Sequence, residues 1–209
     1  MNRFKHVLLV AVSVLVGMGA AAQEQGSYKR LENNIQLTDG AFFETGTSAT
    51  REVGLVLRVS YGLDIRLNES WSVMPGAGAR LSTSALPLPR SGGGVDVVGF
   101  ADVFCTVRYH LGAGKTGIVL GLGPALSFMV VPDYYHINDD PYDPLQQKEK
   151  FNRFDVGLQP SILFRHGNHF QWGVEASFGL LNMRRQYPEH YVTGQCRFHY
   201  VALTCGWHF

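Results

Sequence analysis

Long runs of strict two-residue alternation between apolar and polar side chains dominate this sequence. A strand shows its side chains to opposite faces in turn, so such runs predict strands whose two faces meet different surroundings. In 151–165, Phe154, Val156, Leu158, Pro160, Ile162 and Phe164 share one face. Arg153, Asp155, Gly157, Gln159, Ser161 and Arg165 share the other. In 53–67 the apolar set is Val53, Leu55, Leu57, Val59, Tyr61, Leu63, Ile65 and Leu67, set against Gly54, Arg58, Ser60, Gly62, Asp64 and Arg66. Residues 169–181 and 117–130 repeat the pattern, and 70–82, 95–111 and 196–209 extend it. A weaker run lies near 35–46. These eight runs exceed the usual globular strand of about five to six residues. They meet the about nine to eleven residues needed to cross a bilayer.

The connections carry a second signal. Strands two and three are joined through Asn68-Glu69-Ser70, four and five through Gly112-Ala113-Gly114-Lys115, and six and seven through His166-Gly167-Asn168. The intervening connections, at 83–94, 132–150 and 183–195, are longer, and only the first, near 47–51, is short. Short turns at one end and long loops at the other are the pattern of an outer-membrane barrel. The expected fold is therefore all-β: an eight-stranded, antiparallel, up-and-down transmembrane β-barrel with both termini on the short-turn side.

Residues 1–22 have the form of a secretory signal peptide. Arg3 and Lys5 precede an apolar core from Val7 to Val16, and Ala20-Ala21-Ala22 offers a small-residue cleavage site before Gln23. The apolar core is shorter than the ~20 residues of a spanning helix. The barrel domain is expected over 23–209. The chain has 18 Lys and Arg against 17 Asp and Glu, and losing Arg3 and Lys5 with the leader leaves 16 against 17. This balance gives no basic excess for nucleic acid. Three cysteines, Cys105, Cys196 and Cys205, do not suggest a disulfide framework.

Trp71, Tyr109, Trp172 and Trp207 fall at the short-turn ends of their strands on the apolar parity, where they would form an aromatic girdle at the membrane interface. Val201, Leu203, Cys205, Trp207 and Phe209 alternate back from the last residue. A final aromatic closing an alternating strand resembles the signal read by the outer-membrane assembly machinery.

The stretch Asn68-Glu69-Ser70-Trp71-Ser72-Val73-Met74-Pro75-Gly76 forms a turn-plus-strand motif. Leu120-Gly121-Leu122-Gly123-Pro124-Ala125, Phe154-Asp155-Val156-Gly157-Leu158 and Gly179-Leu180-Leu181-Asn182-Met183 follow in order. In these motifs and their spacing the whole mature chain resembles the small outer-membrane β-barrel family of Bacteroidota, which includes PorT-like proteins. The resemblance implies a barrel in the cell outer membrane, among its lipids, with no shared catalytic site or cofactor. It also suggests a role in secretion or envelope assembly.

An eight-stranded barrel is just wide enough inside to be filled by side chains. The polar parity supplies Arg58, Asp64, Arg66, Arg80, Asp102, Arg108, Arg153, Asp155, Arg165 and Glu175, expected to pair across a filled lumen. Six arginines against four carboxylates also raise a narrow, anion-preferring conduit. A lipid hydrolase would need Ser and His within hydrogen-bond reach on the outer face, and no such pair stands out. Protease carboxylates would have to converge from several loops, whereas Asp139, Asp140 and Asp143 share one. Their loop lacks the spacing of a calcium hand. Tyrosine offers amphipathic contact area at low entropy cost, so Tyr134, Tyr135, Asp139, Asp140, Tyr142 and Asp143 form a candidate recognition loop toward an envelope or extracellular protein. A solvated loop without a ligand is the plainer reading. No enzyme activity, metal or cofactor is expected. A soluble, lipocalin-like ligand carrier would require the opposite polarity, apolar inside and polar outside.

Overall fold

The computed structural model describes residues 31–49, 53–83, 97–112, 116–134, 148–167 and 169–209. The expected leader at 1–22 lies outside them, as do Tyr135, Asp139, Asp140, Tyr142 and Asp143 of the candidate recognition loop. Eight strands follow in order: β1 (Leu31–Thr45), β2 (Gly54–Arg66), β3 (Trp71–Thr83), β4 (Val97–Leu111), β5 (Thr116–Val131), β6 (Phe154–His166), β7 (Phe170–Gly179) and β8 (Arg197–His208). Each pairs antiparallel with its neighbour, and β1 pairs with β8, so the sheet closes on itself without a free edge. Closure satisfies the backbone hydrogen-bonding groups that an open edge would leave exposed, which is the requirement for a strand structure in lipid.

The alternation becomes inside and outside. On β5, Leu120, Leu122, Pro124, Leu126 and Phe128 are exposed, while Val119, Gly121, Gly123, Ala125 and Ser127 are buried. On β2, Leu55, Leu57, Val59 and Tyr61 face out, and Val56, Arg58, Ser60 and Gly62 face in. A soluble carrier would need the reverse arrangement on these strands, which speaks against the lipocalin-like reading.

The turns occur where the spacing puts them. Between β2 and β3, Asn68 Oδ1 accepts the backbone N–H groups of Ser70 and Trp71, each at 2.9 Å, and fixes the reversal. Gly167, between β6 and β7, has φ +68°, a left-handed conformation that glycine adopts without cost.

Two strands start three or more residues away from expectation. β1 begins at Leu31 rather than near 35, because backbone pairing with β2 holds the polar stretch Glu32-Asn33-Asn34 in register. β6 begins at Phe154 rather than 151, because Phe151 turns inward, is 2% exposed and bridges to Arg184.

On the outside, the apolar surface is bounded at both rims. Trp71 and Tyr109 meet at 4.7 Å with tilted rings, Phe164 and Trp172 lie at 5.0 Å, and Trp207 stacks on His169 at 5.5 Å, all at the short-turn end. Phe43, Phe128, Phe154 and Phe178 occupy the outward parity toward the other rim, a second band that the sequence reading did not name. On β6, Phe154 and Phe164 are ten residues apart. At about 3.3 Å per residue and about 40° of tilt this spans about 25 Å, the height of the apolar belt of transmembrane barrels.

Candidate functional site

The interior is layered. Toward the short-turn end, Arg108 Nη1 lies 3.0 Å from Asp64 Oδ2, and Arg165 pairs with Glu32. Ser72 Oγ is 2.8 Å from a ring nitrogen of His110, and Asn34 bridges His208 and Gln171. Arg66 is half-buried beside this group.

Higher in the lumen, Arg58 Nη1 lies 2.6 Å from Glu175 Oε1. The same oxygen accepts a hydrogen bond from the Tyr200 hydroxyl at 2.7 Å, and Gln159 donates to that hydroxyl at 3.3 Å. Asp102 sits between two guanidinium groups, 3.5 Å from Arg58 Nε and 3.3 Å from Arg80 Nε. Arg58 also lies over the Phe104 ring and Arg80 over Phe100, at 4.7 and 4.2 Å. Such cation–π contacts use the guanidinium face that the carboxylates leave free. Gly62 and Gly76 face each other in register. A Cβ at Gly62 would meet Met74 at 2.8 Å, and one at Gly76 would collide with Phe104, so the two glycines admit these large side chains.

At the long-loop end the lumen becomes apolar. Phe42, Val56, Phe100, Met129, Phe198 and Tyr200 come from the strands, and Phe151, Met183 and Cys196 from the loops, to make one buried cluster. Phe198 meets Phe42 at 5.2 Å and Phe151 at 4.9 Å, both edge to face. This cap covers the polar layers.

Nine of the ten residues assigned to the lumen lie on its walls. Asp155, at the top, accepts the Leu181 N–H at 3.2 Å. Arg153 is corrected. It precedes β6, its side chain is 47% exposed, and it pairs with Glu149 outside the barrel. The strand alternation begins only at Phe154, so Arg153 belongs to the loop before it. Glu32 and Glu44, both on β1, are inward carboxylates absent from the set expected from the sequence. With Arg153 out and Glu32 and Glu44 in, the set holds five arginines (58, 66, 80, 108 and 165) against six carboxylates (32, 44, 64, 102, 155 and 175). The arginine excess behind the anion-conduit reading is gone.

The outer rim is built from the loops. Lys150 N–H bonds the Asp133 carbonyl at 2.8 Å and Tyr134 bridges Glu149, which closes the base of the 134–149 loop. Glu149 receives Arg153 Nε at 3.1 Å and Arg185 Nη1 at 2.7 Å, tying this loop to the one between β7 and β8. These two guanidinium groups, Arg153 foremost, hold the Glu149 carboxyl below the usual range. Asn182 Oδ1 accepts the Cys196 N–H at 2.9 Å, and the Cys196 thiol donates to Glu44 at 3.4 Å. Burial first, then the Glu44 charge, push that thiol up. Tyr191, after the short 3-10 turn Pro188–His190, is 94% exposed and has φ 57°. A bulky residue held fully in solvent in the left-handed region is uncommon. The sequence reading did not single it out.

On the outside, Trp71, Trp172, Trp207, Val201, Leu203 and Phe209 are exposed, and Tyr109 is partly so. The backbones of Asn33 and Phe209 exchange hydrogen bonds of 3.0 and 3.1 Å. The structure also reveals a hydroxyl–imidazole pair on the outward parity, Thr45 Oγ1 to His199 Nε2 at 2.7 Å. His199 Nδ1 has no partner among the described residues, so the carboxylate that would orient the ring as a general base is missing.

No protein-family model matches the sequence, and no curated protein is similar to it. Solved structures are similar in fold. Neisserial surface protein A aligns over 85% of this chain and 97% of its own, at 9% identity and a TM-score of 0.52. The N-terminal β-barrel domain of Pseudomonas aeruginosa OprF covers the same shares, at 10% identity and a TM-score of 0.43. Ail, the attachment invasion locus protein of Yersinia pestis, solved with the heparin analogue sucrose octasulfate, aligns over 87% of this chain and 100% of its own. Its identity is 11% and its TM-score 0.46.

Proposed function

We propose that this protein is an integral barrel of a bacterial outer membrane with a non-enzymatic role, presenting its long loops to an envelope or extracellular protein. The observation that carries the reading is the filled interior. Paired charges occupy the lower lumen and an apolar cluster closes the upper end, which leaves the rim as the surface free for recognition. Tyr134 and Tyr191 stand exposed on that rim. Glu149 braces both loops that carry them.

Two measurements test this. Envelope fractionation should recover the chain in the outer membrane, with a compact band that shifts on boiling. Surface cross-linking of intact cells should then give a discrete protein adduct. Replacing 134–146 by a short glycine–serine turn should abolish the adduct and leave the heat shift intact. Recovery in the soluble fraction overturns the location. An adduct unaffected by the replacement overturns the loop role, and phospholipid hydrolysis by the refolded barrel overturns the non-enzymatic reading.

A secretion or assembly role within the PorT-like Bacteroidota family is the second reading. It is favoured by where the resembling motifs fall: the β2–β3 turn with the start of β3, the middle of β5, the start of β6 and the end of β7. A stable complex with secretion components, purified from the membrane, would support it over the first.

A further inference from the structure

Between the two aromatic bands, the outward positions of the eight described strands are apolar with one exception. Asp39 on β1 is exposed on the outward parity, between Leu37 and Ala41. In register it faces Leu57 of β2 and Leu203 of β8, which are 47% and 69% exposed. Ile35, four residues toward the short-turn rim, pairs with Trp207, and Phe43, four residues toward the other rim, pairs with His199. Four residues at about 3.3 Å with about 40° of tilt put Asp39 about 10 Å from either band, close to the middle of the belt.

The Asp39 carboxylate has no ion pair or hydrogen bond among the described residues. The guanidinium nearest in register, that of Arg58 opposite Thr38, points into the lumen and is engaged by Glu175 and Asp102. An ionisable side chain on the lipid face costs stability with depth. Inside membranes such residues face a partner or a cavity. Ala41, next to it on the same face, is shorter than the Leu55 and Val201 it meets in register, so β1 has a local trough beside Asp39.

We propose that the β8–β1–β2 wall docks a second membrane-embedded protein, which presents a lysine or arginine side chain to Asp39 at mid-depth. Charge complementarity selects the occupant. A second copy of this chain has no lysine, arginine or histidine on the described outward positions between the bands, so it would offer Asp39 only another carboxylate. A cation-bearing partner satisfies the carboxylate, excludes lipid from the trough and fixes one rotational face of the barrel.

The test is photo-cross-linking in intact outer membranes, with p-benzoylphenylalanine replacing Leu57 and, as a control, Leu122 on β5. The expected result is one protein adduct from position 57 and none from 122. Asp39→Leu should reduce it at least about tenfold while the barrel keeps its heat shift. Asp39→Lys should abolish it, and replacing the cross-linked lysine or arginine of the partner by aspartate should restore it. An adduct of twice the mass of this chain overturns the proposal, as do lipid adducts alone or an adduct indifferent to Asp39→Leu. Each outcome is independent of the loop replacement above.

Discussion

Arg58 on β2 and Glu175 on β7 meet across the lumen at 2.6 Å, and the same Glu175 oxygen also accepts the Tyr200 hydroxyl. Buried ion pairs contribute little net stability compared with well-packed apolar residues, but breaking one strands a charge. Glu175→Ala should therefore destabilise the barrel by about 3–5 kcal/mol in urea unfolding from lipid vesicles. Glu175→Gln, which keeps an oxygen acceptor for Tyr200, should cost less. The double change Arg58→Met with Glu175→Leu should recover most of the loss. A single Glu175→Ala cost below about 1 kcal/mol would mean that the neighbouring carboxylate Asp102 alone satisfies Arg58.

The rim brace should respond to acid. Arg153 and Arg185 hold the Glu149 carboxyl below its usual range. A depressed folded value means the brace contributes fully above the ordinary glutamate value of about 4.3 and is lost as pH falls through the lower folded value. A spin label at position 186 should be immobile near neutrality and become mobile well below pH 4. In Glu149→Gln it should be mobile throughout. Mobility that ignores pH in the native chain would show that backbone bonds alone hold the loop.

The chain has three tryptophans, and all lie in the lower aromatic band. Intrinsic fluorescence in vesicles should therefore report one depth. Lipids brominated near the headgroup should quench it strongly, and lipids brominated at the chain terminus weakly. Strong quenching from the terminus would place the band inside the hydrocarbon and break the register of belt and bilayer.

The cysteines should divide by environment. Cys105 and Cys205 are exposed on the outward face, whereas Cys196 is buried against Glu44. In vesicles, N-ethylmaleimide should modify Cys196 more than about 100-fold slower than it does after unfolding, because the thiolate is the reactive form. A charged methanethiosulfonate should leave Cys105 and Cys205 untouched in lipid and label them in denaturant. Rapid labelling of Cys196 in the folded barrel would show that the rim opens around Asn182.

The strands were legible because two solvents impose two faces. A residue such as Leu122 beside Gly123 states its side without knowledge of its neighbours. Partnership was not legible. Glu32 meets Arg165 from 133 residues away, and its local sequence is polar on both parities. Arg153 continues the alternation numerically, but Glu149, four residues earlier, draws it out of the barrel. The apolar cap did leave a trace. Phe42, Phe100, Met129 and Phe198 all occupy the inward parity near the outer ends of their strands. Phe42 beside Phe43 made β1 look irregular, when one ring belongs to the cap and its neighbour to the outer band. Asp39 carried the same kind of signal, a polar residue on an apolar parity.

The seam between β1 and β8 also has a kinetic consequence. It pairs Asn34 with His208, 174 positions apart. The contact that removes the last open edge is thus among the most distant in the chain, and closing so long a loop costs entropy before any ladder bond forms. Hairpins such as β2–β3 can assemble early, but the ring can close only after every other strand is in place. A barrel halted before that step would expose two unpaired edges at once. Its aggregation hazard is therefore concentrated in the interval before β1 meets β8.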